Sequence, residues 1–252
     1  MGRMALIGYN CRMDLSIVIP AFEESKKIGR DIESAAKFLE SNRLAGEIIV
    51  VDDGSKDNTC EVADSVKIPP QVTRKVIRCR PHRGKGHAVR TGIMESKGRY
   101  VMFADSGCCV PYIDALRGLE LLKSNQCDIA HGSRKMQGCQ IGRPQSIYRR
   151  ICSRIFHWYV IYKMKIPSEL TDTQCGFKIY RGDVARQLYG ESVTDGFAFD
   201  IEIIMRAQKE GYRIKEFPLQ WSCDRDSRLS PTRSVWHVLS ELKAIKQVLS
   251  GK

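Results

Sequence analysis

The chain alternates short apolar runs with segments whose apolar residues fall three or four apart. "DLSIVIPAF" (14–22) is almost continuously apolar, as expected of a parallel strand covered on both faces. Ile28, Ile32, Ala36 and Leu39 then repeat at helical spacing and predict a helix reaching about Ser41. "GEIIVVDDGS" (46–55) reads as a second buried strand ending in polar residues, and "SKDNTCEVADSV" (55–66) as a capped helix. "RKVIRC" (74–79) predicts a third strand, "KGHAVRTGIMESKG" (85–98) a helix and "RYVMFADS" (99–106) a fourth strand. This β-α-β-α-β-α-β order implies an α/β fold: an open, mostly parallel sheet flanked by helices, with ligands at the carboxyl ends of the strands. Those ends carry "PAFEE" (20–24), "VDDGS" (51–55) and "ADSG" (104–107).

Downstream, the pattern predicts a helix over 112–124, a strand in "CDIAHGSR" (127–134) and a basic amphipathic helix at about 146–164. Strand then helix follow in "CGFKIYRGDVARQLY" (175–189), a helix in "FAFDIEIIMRAQKEG" (197–211) and a late strand in "YRIKEFPLQW" (212–221). A last amphipathic helix closes the chain over 233–250. Without a repeat, linker or low-complexity tract, a single domain is expected over 14–230, with 1–13 a disordered lead-in and 231–252 the terminal helix.

Composition narrows the class. A chain of 252 residues that is 42% hydrophobic can bury a full core. Its longest aromatic and aliphatic run, "IFHWYVIY" (155–162), is far below the roughly 18 apolar residues of a membrane span. "MGRMALIGYNCRMD" lacks the apolar core and cleavage site of a secretory signal, so a cytoplasmic location is expected. The ten cysteines are scattered and form no C-x-x-C, which fits reduced, mostly buried thiols rather than disulfides or zinc.

The net charge of +12 is unevenly placed. Ser65 to Met94 holds no acid but gathers Arg74, Lys75, Arg78, Arg80, Arg83, Lys85 and Arg90. Ile129 to Ser168 is again acid-free, with Arg134, Lys135, Arg143, Arg149, Arg150, Arg154, Lys163 and Lys165. Two such blocks point to an anionic partner: a nucleotide, nucleic acid or an anionic membrane surface. A solvated basic face without a partner is the plainer alternative.

The polar strand ends carry the candidate chemistry. Asp52 and Asp53 can accept hydrogen bonds from a base or ribose, or form an Asx turn into the next helix. "HRGKGHAVRTG" (82–92) lacks the spacing of a P-loop, yet Gly84 and Gly86 around Lys85 suit close backbone approach to an anion.

"SIVIPAFEES", "EIIVVDDGSKDNT", "RGKGHAVRTG", "FADS", "GSR" and "DTQCGFKIYRGDVAR…FAFDIEI" follow one another in register over about residues 14 to 230. Together they resemble family 2 glycosyltransferases of the GT-A fold, and among them the enzymes that move a sugar from a nucleotide onto a polyprenyl (dolichyl) phosphate. "DTQCGFK" with "FAFDIE" looks most like dolichyl-phosphate β-glucosyltransferases. The resemblance implies that Pro20, Ala21, Phe22, Glu24, Asp52 and Asp53 hold the nucleoside, and that Lys85, Ser106 and Gly107 lie by the donor diphosphate. It makes Asp105 the first aspartate of a D-x-D that binds Mg2+ or Mn2+, with Gly107 in place of the second. Arg134, Asp200 and Glu202 are expected to be catalytic. Arg134, Arg149, Arg150, Gln174 and Arg228 are expected to receive the acceptor phosphate, and Asp172 to line the sugar side.

The chemistry agrees with that residue set. Breaking a nucleotide-sugar bond builds negative charge on a diphosphate, which a metal or Lys and Arg must stabilise. A phosphate monoester acceptor is already anionic and needs no strong general base. One in-line displacement with inversion, giving a β-linked lipid phosphate from an α-linked donor, is therefore expected. Asp105 with the diphosphate can suffice for Mg2+, with Ser106 or Asp114 assisting. Asp105→Ala should abolish transfer, and Gly107→Asp should keep or raise it. UDP-glucose is the first expectation for the donor; a mannosyl or other hexosyl transferase is the alternative. A nucleotide- or nucleic-acid-binding module without activity is the alternative of another class, although a recognised nucleic-acid fold is missing.

On the helix at 146–164, Ile147, Ile151, Ile155, Trp158, Tyr159 and Tyr162 form one stripe. Such a stripe fits core packing. With Arg149 and Arg150 on the other face and no acid in the helix, it also fits a helix lying peripherally on the cytosolic face of a membrane, where a polyprenyl phosphate is presented.

Overall fold

In the computed structural model, which describes residues 13–143, 147–223 and 231–250, the first apolar runs form β1 (Leu15–Ala21), β2 (Gly46–Asp52), β3 (Val72–Arg78) and β4 (Tyr100–Ala104). Every residue of β1, β2 and β4 is buried, as continuous apolar runs between two helical layers require. Helices α1 (Ile28–Ser41), α2 (Thr59–Ser65) and α3 (Lys85–Met94) make the crossovers. Helix α2 starts later than its sequence pattern, because the Asp57 carboxylate accepts the N–H groups of Ser25 (3.3 Å) and Thr59 (3.1 Å) and keeps the preceding residues in a turn.

Beyond β4 come a three-residue 3-10 turn (Tyr112–Asp114), α4 (Ala115–Lys123), β5 (Ile129–Ser133) and β6 (Gln140–Arg143). Then follow α5 (Ile147–Met164), β7 (Phe177–Arg181), α6 (Gly182–Gly190) and α7 (Phe199–Lys209). The chain continues through β8 (Ile214–Pro218), β9 (Gln220–Ser222) and α8 (Pro231–Leu249). Seven strands form one sheet in the order β3-β2-β1-β4-β7-β5-β8. It is parallel except at β7, which runs antiparallel to both β4 and β5. β6 and β9 pair in a separate two-stranded ribbon.

β1 lies between β2 and β4, so the chain winds outward to β3 and returns to start the other half at β4. This is a topological switch point, and the crevice at the carboxyl ends of β1 and β4 is where such sheets take ligands. One core packs α1 and α4 on the sheet; a second packs α3, α6 and α7 on the opposite face. A third joins Val160 and Met164 of α5, Ile201 and Ile204 of α7, and Leu242 and Ile245 of α8.

On α5 the stripe is not core. Ile147 is 75% exposed, Ile151 50%, Ile155 63%, Trp158 58% and Tyr162 69%, whereas Tyr159 packs with Phe156 against the third core. Helical spacing gave the stripe but not which face meets the protein, and the narrower row at Phe156, Tyr159, Val160 and Met164 is the one that does. Of the expected lead-in, residues 1–12 lie outside the described residues.

Candidate active site

Four strand ends meet at the switch point. β1 ends in buried Pro20 and Ala21, and the ring of Phe22 beyond it stacks on His82, with centroids 4.2 Å apart and planes at 30°. Asp53 follows β2, its N–H donating to Ala21 O at 2.9 Å. Its carboxylate accepts the N–H groups of Gly84 (2.6 Å) and Arg83 (3.2 Å) and lies 2.8 Å from His82 Nδ1. Asp53 thus sits beneath His82 and anchors the glycine loop. Asp52 instead builds the Asx turn: its carboxylate accepts Ser55 Oγ–H, Ser55 N–H at 3.3 Å and the Cys60 thiol at 3.2 Å. Glu24 makes a 3.7 Å ion pair with Lys27 while its N–H donates to Thr59 Oγ1.

The glycine loop differs from expectation. A Cβ on Gly84 (φ +130°) would stand 2.5 Å from Asp195 O, and one on Gly86 2.6 Å from Thr194 O. These glycines let the loop close on the backbone of 194–196 rather than open it to an anion. Arg83 and Arg90 complete the seam by pairing with Asp195.

The loop delivers Lys85, the first residue of α3, to the strand ends. Its Nζ is 2.6 Å from Asp105 Oδ1 and 5.9 Å from the ring centres of both Phe103 and Phe199. Burial works against the ammonium, but the charges of Asp105 and Asp200 outweigh it and raise its pKa. Asp200, the second residue of α7, is itself buried 2.5 Å from Lys178 Nζ. Burial raises the Asp200 pKa in spite of the two lysines.

Asp105 leaves β4 with its N–H on Gly176 O at 2.8 Å. The next residues turn sharply, with φ of +100° at Gly107 and +48° at Cys108. Their N–H groups, each at 2.8 Å, converge on the carboxylate of Asp31, a fully buried residue of α1. Asp31 was missed in the sequence; its one signal is an acid on the buried face of α1 between Ile28 and Ile32. The turn corrects one expectation: an L-aspartate at 107 would have to adopt a left-handed conformation, so Gly107→Asp brings backbone strain.

Arg134, just past β5, clamps Asp172 in a bidentate pair at 2.7 and 2.8 Å and lies over the Trp221 ring at 5.4 Å. Burial alone would raise the Asp172 pKa, but Arg134 overrides it and holds it at about 2. Glu216 orients the pair by accepting Asp172 N–H at 2.8 Å. Gln174, half-buried, follows in the loop leading to β7.

Several expected residues lie elsewhere. Glu202 is fully buried; it accepts the N–H groups of Val193 (2.9 Å) and Thr194 (2.8 Å) and Arg206 Nε–H (2.8 Å), so it braces the 193–194 turn instead of lining the crevice. Asp114 is buried and engaged elsewhere, accepting Gln220 N–H at 2.7 Å and lying 3.6 Å from Arg117. Arg150 is exposed on α5, whereas the Arg149 side chain and Arg228 lie outside the described residues. Asp105, already paired to Lys85, faces the crevice without a second carboxylate, and no group of three or more His, Cys, Asp or Glu converges among the described residues. That donor set does not fit a preformed two-carboxylate metal clamp.

The fold is that of GT-A glycosyltransferases. Glucosyl-3-phosphoglycerate synthase from Mycobacterium tuberculosis, solved with Mn2+, UDP and glucosyl-3-phosphoglycerate, superposes with a TM-score of 0.68 at 17% identity, covering 94% of this chain and 80% of that one. The Glycosyl transferase family 2 model matches residues 16–189. Dolichyl-phosphate beta-glucosyltransferase of Dictyostelium discoideum is 29% identical over 242 residues, 92% of this chain and 73% of the relative. The Homo sapiens protein of that name is 32% identical over 232 residues, 86% of this chain and 70% of the relative. The chain belongs to glycosyl transferase family 2 and is a glycosyltransferase.

Proposed function

We propose that the enzyme transfers a hexose, glucose in the first instance, from UDP-sugar to a polyprenyl (dolichyl) phosphate with inversion. The observation that carries this reading is the Lys85–Asp105 pair at the switch point, in a chain whose relatives are named dolichyl-phosphate beta-glucosyltransferases. The base would lie by Phe22 and His82 over Asp53, and the diphosphate over Lys85 and Asp105. The sugar would reach toward Gln174 and the Arg134–Asp172 pair, where the acceptor phosphate enters.

The residues suit that reaction. No histidine or cysteine is needed to activate an acceptor that is already an anion. Lys85 would stabilise charge on the leaving diphosphate, and Asp105 with the rings of Phe103 and Phe199 holds its ammonium in place so that little reorganisation accompanies the transition state. Arg134, already matched by Asp172, offers its remaining N–H donors without an excess of positive charge.

The acceptor also suits α5. Among the described residues no helix is long and apolar enough to cross a membrane. The exposed row Ile147, Ile151, Ile155, Trp158 and Tyr162, in a stretch without acids, supports peripheral contact with an anionic leaflet.

The test is incubation with labelled UDP-glucose or GDP-mannose and dolichyl phosphate. Organic-extractable label from UDP-glucose, lost in Asp105→Ala, is expected. Label from GDP-mannose alone would move the reading to a mannosyl transferase, and none from either donor would refute it.

A further inference from the structure

We infer that Lys85 is a resident counter-cation for the donor diphosphate, so that the nucleotide binds without a divalent ion. The inference rests on the donor-site reading above and concerns how that site balances charge.

A clamp of two carboxylates repels a diphosphate until a dication neutralises it. In this chain the clamp has one carboxylate, and an ammonium is already 2.6 Å from it. The position of the second carboxylate is Gly107, whose N–H is turned onto Asp31 of α1 at 2.8 Å. Asp105 and Lys85 therefore cancel each other before any ligand arrives. A dication placed on Asp105 would meet Lys85 at close range and be repelled by it.

Lys85 is also fixed where a diphosphate would need it. The rings of Phe103 and Phe199 flank its Nζ, each centre 5.9 Å away, and the glycine loop holds its backbone through Asp53. Behind it, Asp200 is matched by Lys178 at 2.5 Å. Asp105–Lys85 and Asp200–Lys178 are thus two matched pairs, and the charge of Asp200 also acts on Lys85. An ammonium has three donors, so Lys85 can keep Asp105 and still give hydrogen bonds to phosphate oxygens.

The experiment is calorimetric titration of the full chain with UDP and with uridine, in EDTA and in Mn2+, for wild type and Lys85→Met. Wild type is expected to bind UDP within about threefold of the same affinity in both conditions. In EDTA, Lys85→Met should weaken UDP by about tenfold or more and leave uridine unchanged, which separates loss of the diphosphate contact from loss of fold. UDP binding by wild type that disappears in EDTA and returns with Mn2+ would overturn the inference while leaving the donor site standing. Lys85→Met that binds UDP as wild type does, or that weakens UDP and uridine alike, would also overturn it. If wild type binds neither ligand under either condition, the donor-site reading itself fails and takes this inference with it.

Discussion

The Asp105 carboxylate occupies the space that a side chain on residue 176 would fill: a Cβ on Gly176 would stand 2.0 Å from Asp105 Oδ2. The glycine of "QCGFK" is thus a condition for the placement of the aspartate of "FADS", although the two are far apart in sequence. Gly176→Ala should push Asp105 off Lys85 and lower kcat/KM about a hundredfold, as misplacement by about an ångström does. Steady-state kinetics beside a thermal melt check this; the loss of rate should be far larger than any loss of stability implies.

Glu202 tests the line between bracing and chemistry. Glu202→Gln removes the charge that holds Arg206 and two backbone N–H groups, so stability should fall by about 3 kcal/mol. Transfer by the protein that remains folded should be near wild type. A large drop in kcat with unchanged urea midpoint would place Glu202 in the reaction.

His131 sets a pH dependence of stability. It is buried on β5, neither ring nitrogen has a hydrogen-bond partner among the described residues, and burial first, then nearby Lys178, pushes its pKa well below 6.5. Below that value the unfolded chain takes up a proton that the native chain refuses. His131 therefore costs stability progressively as pH falls below 6.5, by at most about 1.4 kcal/mol per pH unit. Urea titrations of wild type and His131→Leu across that range should show the variant with the flatter dependence.

The α5 stripe predicts where the lipid surface lies. Trp158→Glu, at a site 58% exposed, should reduce sedimentation with anionic vesicles severalfold without lowering the melting temperature. A matching blue shift of tryptophan fluorescence on vesicle addition is expected in wild type.

What the sequence disclosed followed from local physics. Continuous apolar runs gave β1, β2 and β4, because a strand covered on both faces must be apolar throughout. The antiparallel direction of β7 was not legible, since "FKIYR" is buried the same way in either direction. β6 left no apolar signal, since its one apolar side chain, Ile141, stays exposed, and β9 was run together with β8 in the single strand expected over 212–221. In the site, Phe22, Asp53, Lys85 and Asp105 lie at neighbouring strand ends, but their hydrogen-bond partners did not declare themselves. Asp53 turned out to hold the glycine loop, Gly84 and Gly86 to admit the 194–196 backbone, and Asp31 to hold the turn after Asp105. These are pairings between distant segments, and spacing along one segment carries no information about them. The exposure of the α5 stripe was hidden for the same reason: a helix with two apolar rows does not say which row the protein covers.

The most direct measurement is a crystal structure of the protein soaked with UDP. Uracil is expected beside Phe22 and His82 above Asp53, with the diphosphate within hydrogen-bond distance of Lys85 Nζ. UDP bound away from Asp53 and Asp105 would contradict the donor-site reading.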